Sequence, residues 1–192
     1  MKNIFTSMKD IGSVKHAGST TFNSKDQSYR VRGSGKNLWF REDEFHFASK
    51  EINGDFIMTC SLKFSKEGGE PHRKAGLMIR ENLTESSAYA DVVIHGDGST
   101  ALQYRPSEGE ETTGLNPSSH TPHSIQIERS GRFIIVRTAE KGGFLKETAR
   151  IEMNLPNQIN GGIFVGSHNP DLIEEVVFTN LRIDVPAAPG VD

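Results

Sequence analysis

The chain has 192 residues and a net charge of −3, with acidic and basic side chains interspersed. No basic stripe is present, which argues against nucleic acid as a partner, and no apolar run is long enough to span a bilayer as a helix. The single cysteine, Cys60, excludes an internal disulfide and a cysteine zinc cluster.

The length suffices to bury a core without staples. Gly is abundant at 19 residues, and Phe, at 11, outnumbers Tyr and Trp together. High Gly with Phe, Ile and Val in short runs suits an all-β protein with many turns. The N-terminal stretch MKNIFTSMKDIGSVKH has no continuous apolar segment, so it does not resemble a secretory signal. A cytoplasmic location is expected if the chain is complete, and a periplasmic or secreted one if it is a fragment.

Residues 1–19 are mixed, with turn-like DIGS and HAGS. Thr20 to Phe22 and Tyr29 to Val31 form the arms of a first hairpin. After a Gly-Ser-Gly turn comes the apolar run Leu38-Trp39-Phe40. In Glu44 to Ala48, Phe45 and Phe47 share one face, and Glu44 and His46 the other. Phe56, Met58, Cys60, Leu62 and Phe64 then alternate with Ile57, Thr59, Ser61 and Lys63 in the clearest strand. Cys60 reads as a small buried hydrophobe.

Three further strands lie between Pro71 and Arg105. Ala75, Leu77 and Ile79 oppose Gly76, Met78 and Arg80. Ala88, Ala90, Val92 and Ile94 oppose Tyr89, Asp91, Val93 and His95. Leu102 and Tyr104 oppose Ala101, Gln103 and Arg105. The His-Gly-Asp-Gly-Ser turn from His95 supplies the positive φ of a hairpin. The polar stretch 106–123 is loop with one short edge strand. Ile125 and Ile127 open a hairpin turned at Ser130-Gly131, with Phe133 to Val136 as its second arm. Further strands run from Phe144 towards Ile151, from Gly162 to Gly166 and from Val176 to Ile183. About twelve strands at this spacing suggest a sandwich. The best helix candidate is a turn or two at Leu172 to Glu175. The expected architecture is one domain, 1–185, with a C-terminal tail, 186–192.

These motifs resemble a known family. The Gly-Ser-Gly turn and aromatic run, Asp43, Gly54-Asp55-Phe56, Ala75 to Arg80, the Ser-Ala-Tyr-Ala strand, Gln103-Tyr104-Arg105 and Gly162 to Ser167 together resemble the concanavalin A-like lectin/glucanase group. Within it they are similar to the bacterial "regulation of enolase protein 1"-like domains. The resemblance spans about Gly12 to Asp184. It implies a jelly-roll sandwich of two antiparallel sheets, one of them concave, and leaves room for a structural Ca²⁺ whose ligands the sequence does not name. No cofactor is otherwise expected. The Glu-x-Asp-x-x-Glu motif of laminarinase-type glucanases is absent.

One strand parity carries the candidate chemistry. Arg80, Tyr89, Asp91, His95, Gln103 and Arg105 fall on the face opposite the apolar one, and Glu44 and His46 extend it. His72 and Arg73 sit on the loop leading in, and Trp39 is the only tryptophan. Arg offers a rigid donor fork, Asp and Gln accept or bridge, and an aromatic ring stacks on a sugar. The leading expectation is a glycan-binding module on the concave face, with Trp39, His46, His72, Arg73, Arg80, Tyr89, Gln103 and Arg105 as contacts. The alternative is a glycoside hydrolase or polysaccharide lyase using Asp91, His95 and Glu44. A third is a regulatory role in protein interaction.

Overall fold

The computed structural model describes residues 2–186. Fourteen strands account for its regular structure: β1 (Ser7–Ile11), β2 (Ser19–Asn23), β3 (Ser28–Gly33), β4 (Phe45–Asn53), β5 (Phe56–Phe64), β6 (Lys74–Arg80), β7 (Tyr89–His95), β8 (Thr100–Arg105), β9 (Thr113–Ser118), β10 (Ser124–Ser130), β11 (Phe133–Ala139), β12 (Lys146–Glu152), β13 (Gln158–Gly166) and β14 (Glu174–Asp184). They form two seven-stranded antiparallel sheets, ordered β1-β4-β13-β6-β7-β8-β9 and β12-β11-β10-β5-β14-β3-β2.

The alternation of β5 explains why it stands near the middle of the second sheet. Phe56, Met58 and Cys60 are buried against the other sheet, while Lys63 is exposed. Ala75, Leu77, Ile79, Ala90, Val92, Ile94, Ile163 and Val165 of the first sheet meet Val31, Phe56, Met58, Ile125, Ile127 and Phe178 of the second. Each such large side chain contributes about 1.5–3 kcal/mol on burial. Burial also pushes the Cys60 thiol far up, so it stays protonated within this layer.

The structure differs from the sequence reading at several places. β1 occupies a stretch that shows no clear pattern, because it is an edge strand with only Ile11 buried. Leu172 to Glu175 is not helical: β14 begins at Glu174, whose register against β3 and β5 governs the backbone there. Phe144 follows the turn at Lys141-Gly142 and is 90% exposed, and the strand starts only at Lys146. The tail expected at 186–192 lies, beyond Pro186, outside the described residues.

The outer face of the first sheet is covered. Residues 34–44 fold back across it as a hairpin-like lobe, here called the plug, closed by a bridge between Leu38 and Asp43 and by Glu44 N–H donating to Asn37 O at 2.8 Å. Gly35 starts the lobe with φ +135, where a Cβ would lie 1.9 Å from Glu44 O. Beneath it is a second apolar cluster of Ile11, Leu38, Phe45, Phe47, Met78, Tyr89, Val93, Ala101 and Phe164. Strand β6 is therefore buried on both faces along its whole length.

Candidate functional site

Register places the outer-face side chains in rows. Lys74 stands opposite His95, Gly76 opposite Val93, Met78 opposite Asp91, and Arg80 opposite Tyr89. On the next strand Asp91 is opposite Gln103 and Tyr89 opposite Arg105. Arg80, Tyr89, Asp91, His95, Gln103 and Arg105 thus share one face, as strand period requires. They do not line an open cleft.

Arg80 and Arg105 are fully buried and hold the plug. Asp43 Oδ2 accepts from Arg80 Nη1 at 2.9 Å and from Arg105 Nη1 at 2.6 Å, and its Oδ1 accepts from Arg105 Nη2 at 2.8 Å. Arg105 also donates to Phe40 O at 2.7 Å and Ser87 O at 3.1 Å, and Arg80 to Thr84 O at 2.5 Å. The Tyr89 ring lies within 5.5 Å of both guanidinium carbons, and its hydroxyl donates to Thr112 Oγ1 at 3.3 Å. Asp43 completes the charge at this end of the face, and all three side chains of the triad are dry.

A second polar line runs through Lys74, which the sequence reading passed over. Its Nζ donates to Leu38 O at 2.6 Å and Gln103 Oε1 at 3.0 Å, and lies 5.2 Å from the centre of the Trp39 ring. His95 Nδ1 lies 3.2 Å from Ser99 O, which can only accept, so Nδ1 carries the proton. His95 Nε2 then accepts from Gln103 Nε2 at 3.4 Å. Burial pushes the Asp91 carboxyl up to about 8, and the Lys74 charge holds it from going higher. Burial draws Lys74 down to about 8, and Asp91 and Asp43 oppose this. Burial and the Lys74 charge draw His95 down to about 4.

Three candidates lie elsewhere. His46 does not extend the polar face: Phe45 and Phe47 take that side, because the plug makes it apolar there. The His46 ring instead braces the sandwich edge, with Nδ1 2.8 Å from Asp10 Oδ1 and Nε2 3.0 Å from Thr20 Oγ1. Arg73 is buried against the second sheet, pairing with Glu174 at 2.9 Å and lying 4.2 Å over the Phe64 ring. Trp39 is half-buried over Lys74 and packs against Gly114.

Beside the plug root a narrow polar recess opens, with a volume of about 10 Å³, room for roughly one water. It is lined by Asn37, Leu38, Glu44, His72, Lys74, Gly166 and His168. Of the expected residues, Glu44 and His72 are here, while Asp91 and His95 are not among its walls. Asn37 Oδ1 and His168 Nδ1 are buried without a hydrogen-bond partner. His168 also has φ +57, an uncommon conformation for a non-glycine residue. Its ring centre is 5.3 Å from that of His72. Burial, then the charges of Lys74 and His72, hold the His168 imidazole below its ordinary range. No pattern in the sequence marks His168, since it sits in a turn and acquires its neighbours only through the β13–β6 register. A wider trough of about 600 Å³ lies at the other end of β4, between Lys50 to Asn53 and Leu181 to Val185, away from these groups.

No protein-family model and no curated protein matches the chain. Solved structures do match in shape. A functionally unknown protein from Saccharomyces cerevisiae is 13% identical, with 94% of this chain and 97% of that one covered and a TM-score of 0.68. Lectin I-B4 from Griffonia simplicifolia, in its metal-free form, is 9% identical over 95% of this chain and 94% of its own, with a TM-score of 0.56. The family 7 alginate lyase A1-II′ is 12% identical over 86% and 82%, with a TM-score of 0.54. The fold is the concanavalin A-like jelly roll, shared with lectins and carbohydrate-active enzymes. Among the described residues no three His, Cys, Asp or Glu side chains gather as a metal site.

Proposed function

We propose that this domain binds a carbohydrate at the recess beside the plug root, as a non-catalytic module. The observation that carries this reading is the pair of unpartnered buried atoms there, Asn37 Oδ1 and His168 Nδ1. A buried polar atom without a partner costs about 1–3 kcal/mol, so a ligand that supplies the bond recovers that cost. The recess mixes acceptors (Asn37 Oδ1, Glu44) with donors (His72, Lys74). A phosphate offers mostly acceptors and an amine only donors, whereas a sugar hydroxyl does both. The recess has room for about one water, so a single sugar hydroxyl enters it and the ring lies across the mouth. The shared fold of lectins and a polysaccharide lyase supports a carbohydrate ligand in general.

The closer kinship with "regulation of enolase protein 1"-like domains is part of this proposal and rests on the sequence motifs alone. The test is a glycan array holding neutral and acidic oligosaccharides, read with the wild type and two variants. Asn37→Ala removes the acceptor, and His168→Gly removes the imidazole while keeping the left-handed backbone. Binding by the wild type and at least tenfold weaker binding by both variants is expected. Wild-type binding that survives both substitutions sinks the site, and no binding across the array sinks the reading.

A further inference from the structure

We propose that the trough at the far end of β4 binds a small monocarboxylate with an apolar body, of the alkanoic acid kind; the inference does not depend on the carbohydrate reading. The trough opens where both sheets lose a flanking strand. β1 pairs with β4 only as far as Ser49, and β3 pairs with β14 only as far as Phe178. β14 is then irregular between Thr179 and Arg182, with Asn180 at φ +52, before it pairs again with β5 at Arg182 and Ile183. The ends of β4 and β14 are left to border a space of about 600 Å³, a volume typical of small-molecule sites.

The inner lining is aliphatic. Ile52 belongs to the core, Ile4, Leu181 and Ile183 pack against it, and Val185 is 64% exposed at the rim. Lys50 is the exception. It shares strand parity with Ala48 and Ile52, both core residues, so it falls on the inward face of β4. It is half-buried and lines the trough. The other charged residues there have partners: Glu51 accepts from Gln158 Nε2 at 2.7 Å, and Arg182 pairs with Asp184 at 3.2 Å. Lys50 alone makes no side-chain hydrogen bond or ion pair among the described residues. One unpaired cation in an aliphatic wall is matched by one anion on an apolar body. The carboxylate accepts from the Lys50 ammonium, and the alkyl chain covers Ile52, Leu181 and Ile183. A sugar would set its hydroxyls against these side chains, and a cationic amphiphile would be repelled.

Titration calorimetry of the full chain at pH 7 tests this with octanoate, its neutral counterpart octanol and the cation octylammonium, and then with hexanoate and decanoate. Octanoate is expected to bind about tenfold more tightly than octanol, with octylammonium weakest. Affinity is expected to rise about two- to fourfold with each added methylene. Lys50→Met keeps the apolar stem and should bring octanoate down to the level of octanol, whereas Lys50→Arg should keep the preference. Methyl NMR of the wild type should place the octanoate-induced shifts at Ile4, Ile52, Leu181 and Ile183, a readout that needs no variant to fold. Equal affinity for octanoate and octanol, a preference that survives Lys50→Met, or shifts confined to other methyls each overturn the proposal. So does an absence of binding by all five compounds. If the same methyls shift with protein concentration alone, the trough is a contact between two copies of the chain, and the proposal also falls. None of these outcomes bears on the glycan array, so the two readings stand or fall separately.

Discussion

Strand β6 carries Arg80 at one end and Lys74 at the other, on the same face, and the two ends handle polar groups differently. At the Arg80 end nearly all the donors are met inside the protein: Asp43 bonds two guanidinium groups, the loop carbonyls of Phe40, Thr84 and Ser87 take further donors, and Arg80 Nε is left without a partner. At the Lys74 end the protein leaves bonds unmade, with Asn37 Oδ1 and His168 Nδ1 lacking partners. A polar cluster that makes nearly all of its bonds acts as a fastening, and one that leaves acceptors open beside a recess offers a place for something else to bind. Two basic residues on one strand face therefore need not share one role.

The sharpest way to break this contrast is to remove Asp43. Asp43→Ala leaves two buried guanidinium groups unpaired, and a loss of about 3–5 kcal/mol is expected in urea unfolding. The Asp43→Gly variant has room for a small anion, so adding formate should raise its Tm where chloride at equal ionic strength does not. A loss below about 1 kcal/mol would mean that the clamp is not a fastening.

The middle of the face gives a smaller, pH-dependent effect. Asp91 has a folded-state pKa raised to about 8 from an ordinary 3.8, so the folded state holds its proton more tightly. Its contribution to stability is present below the ordinary carboxylate range and is lost as pH rises towards 8. His95 runs the other way: its pKa falls from 6.5 to about 4, so stability grows as pH rises through that window. The two offset each other between about pH 4 and 6.5, and above about 6.5 the Asp91 loss dominates until Lys74, drawn down to about 8, begins to act in the opposite sense. Asp91→Asn should abolish the decline above 6.5 and uncover the His95 rise below it, both visible in Tm against pH. An unchanged profile in Asp91→Asn would show that this carboxyl is not the titrating group.

Much of the fold is legible in the sequence, because β5, β7 and β8 alternate cleanly and Asp-Gly marks the β7–β8 turn, where Gly98 has φ +87. The shared face of Arg80, Tyr89, Asp91, Gln103 and Arg105 follows from the same period. Its covering does not. Strand period gives the face of a residue but not what lies over it, and the plug arises from a non-local contact, Asp43 meeting Arg80 and Arg105 across the sheet. The parity of β4 misled for the same reason, since Phe45 and Phe47 point to the outer face only because the plug keeps that face dry. His168 and Lys74 become neighbours through sheet register, which no local pattern shows.

The smallest expected effect on stability falls on an exposed residue of the recess. His72 is exposed, makes no side-chain hydrogen bond among the described residues and lies at the mouth of the recess. Its replacement by alanine should change the unfolding free energy by no more than about 0.5 kcal/mol, as at other exposed positions away from the core. Set beside Asp43→Ala, this separates the two ends of β6 by what they cost the folded state. If His72→Ala proves as damaging as Asp43→Ala, the recess is part of the fastening. Its open hydrogen bonds would then say nothing about a ligand.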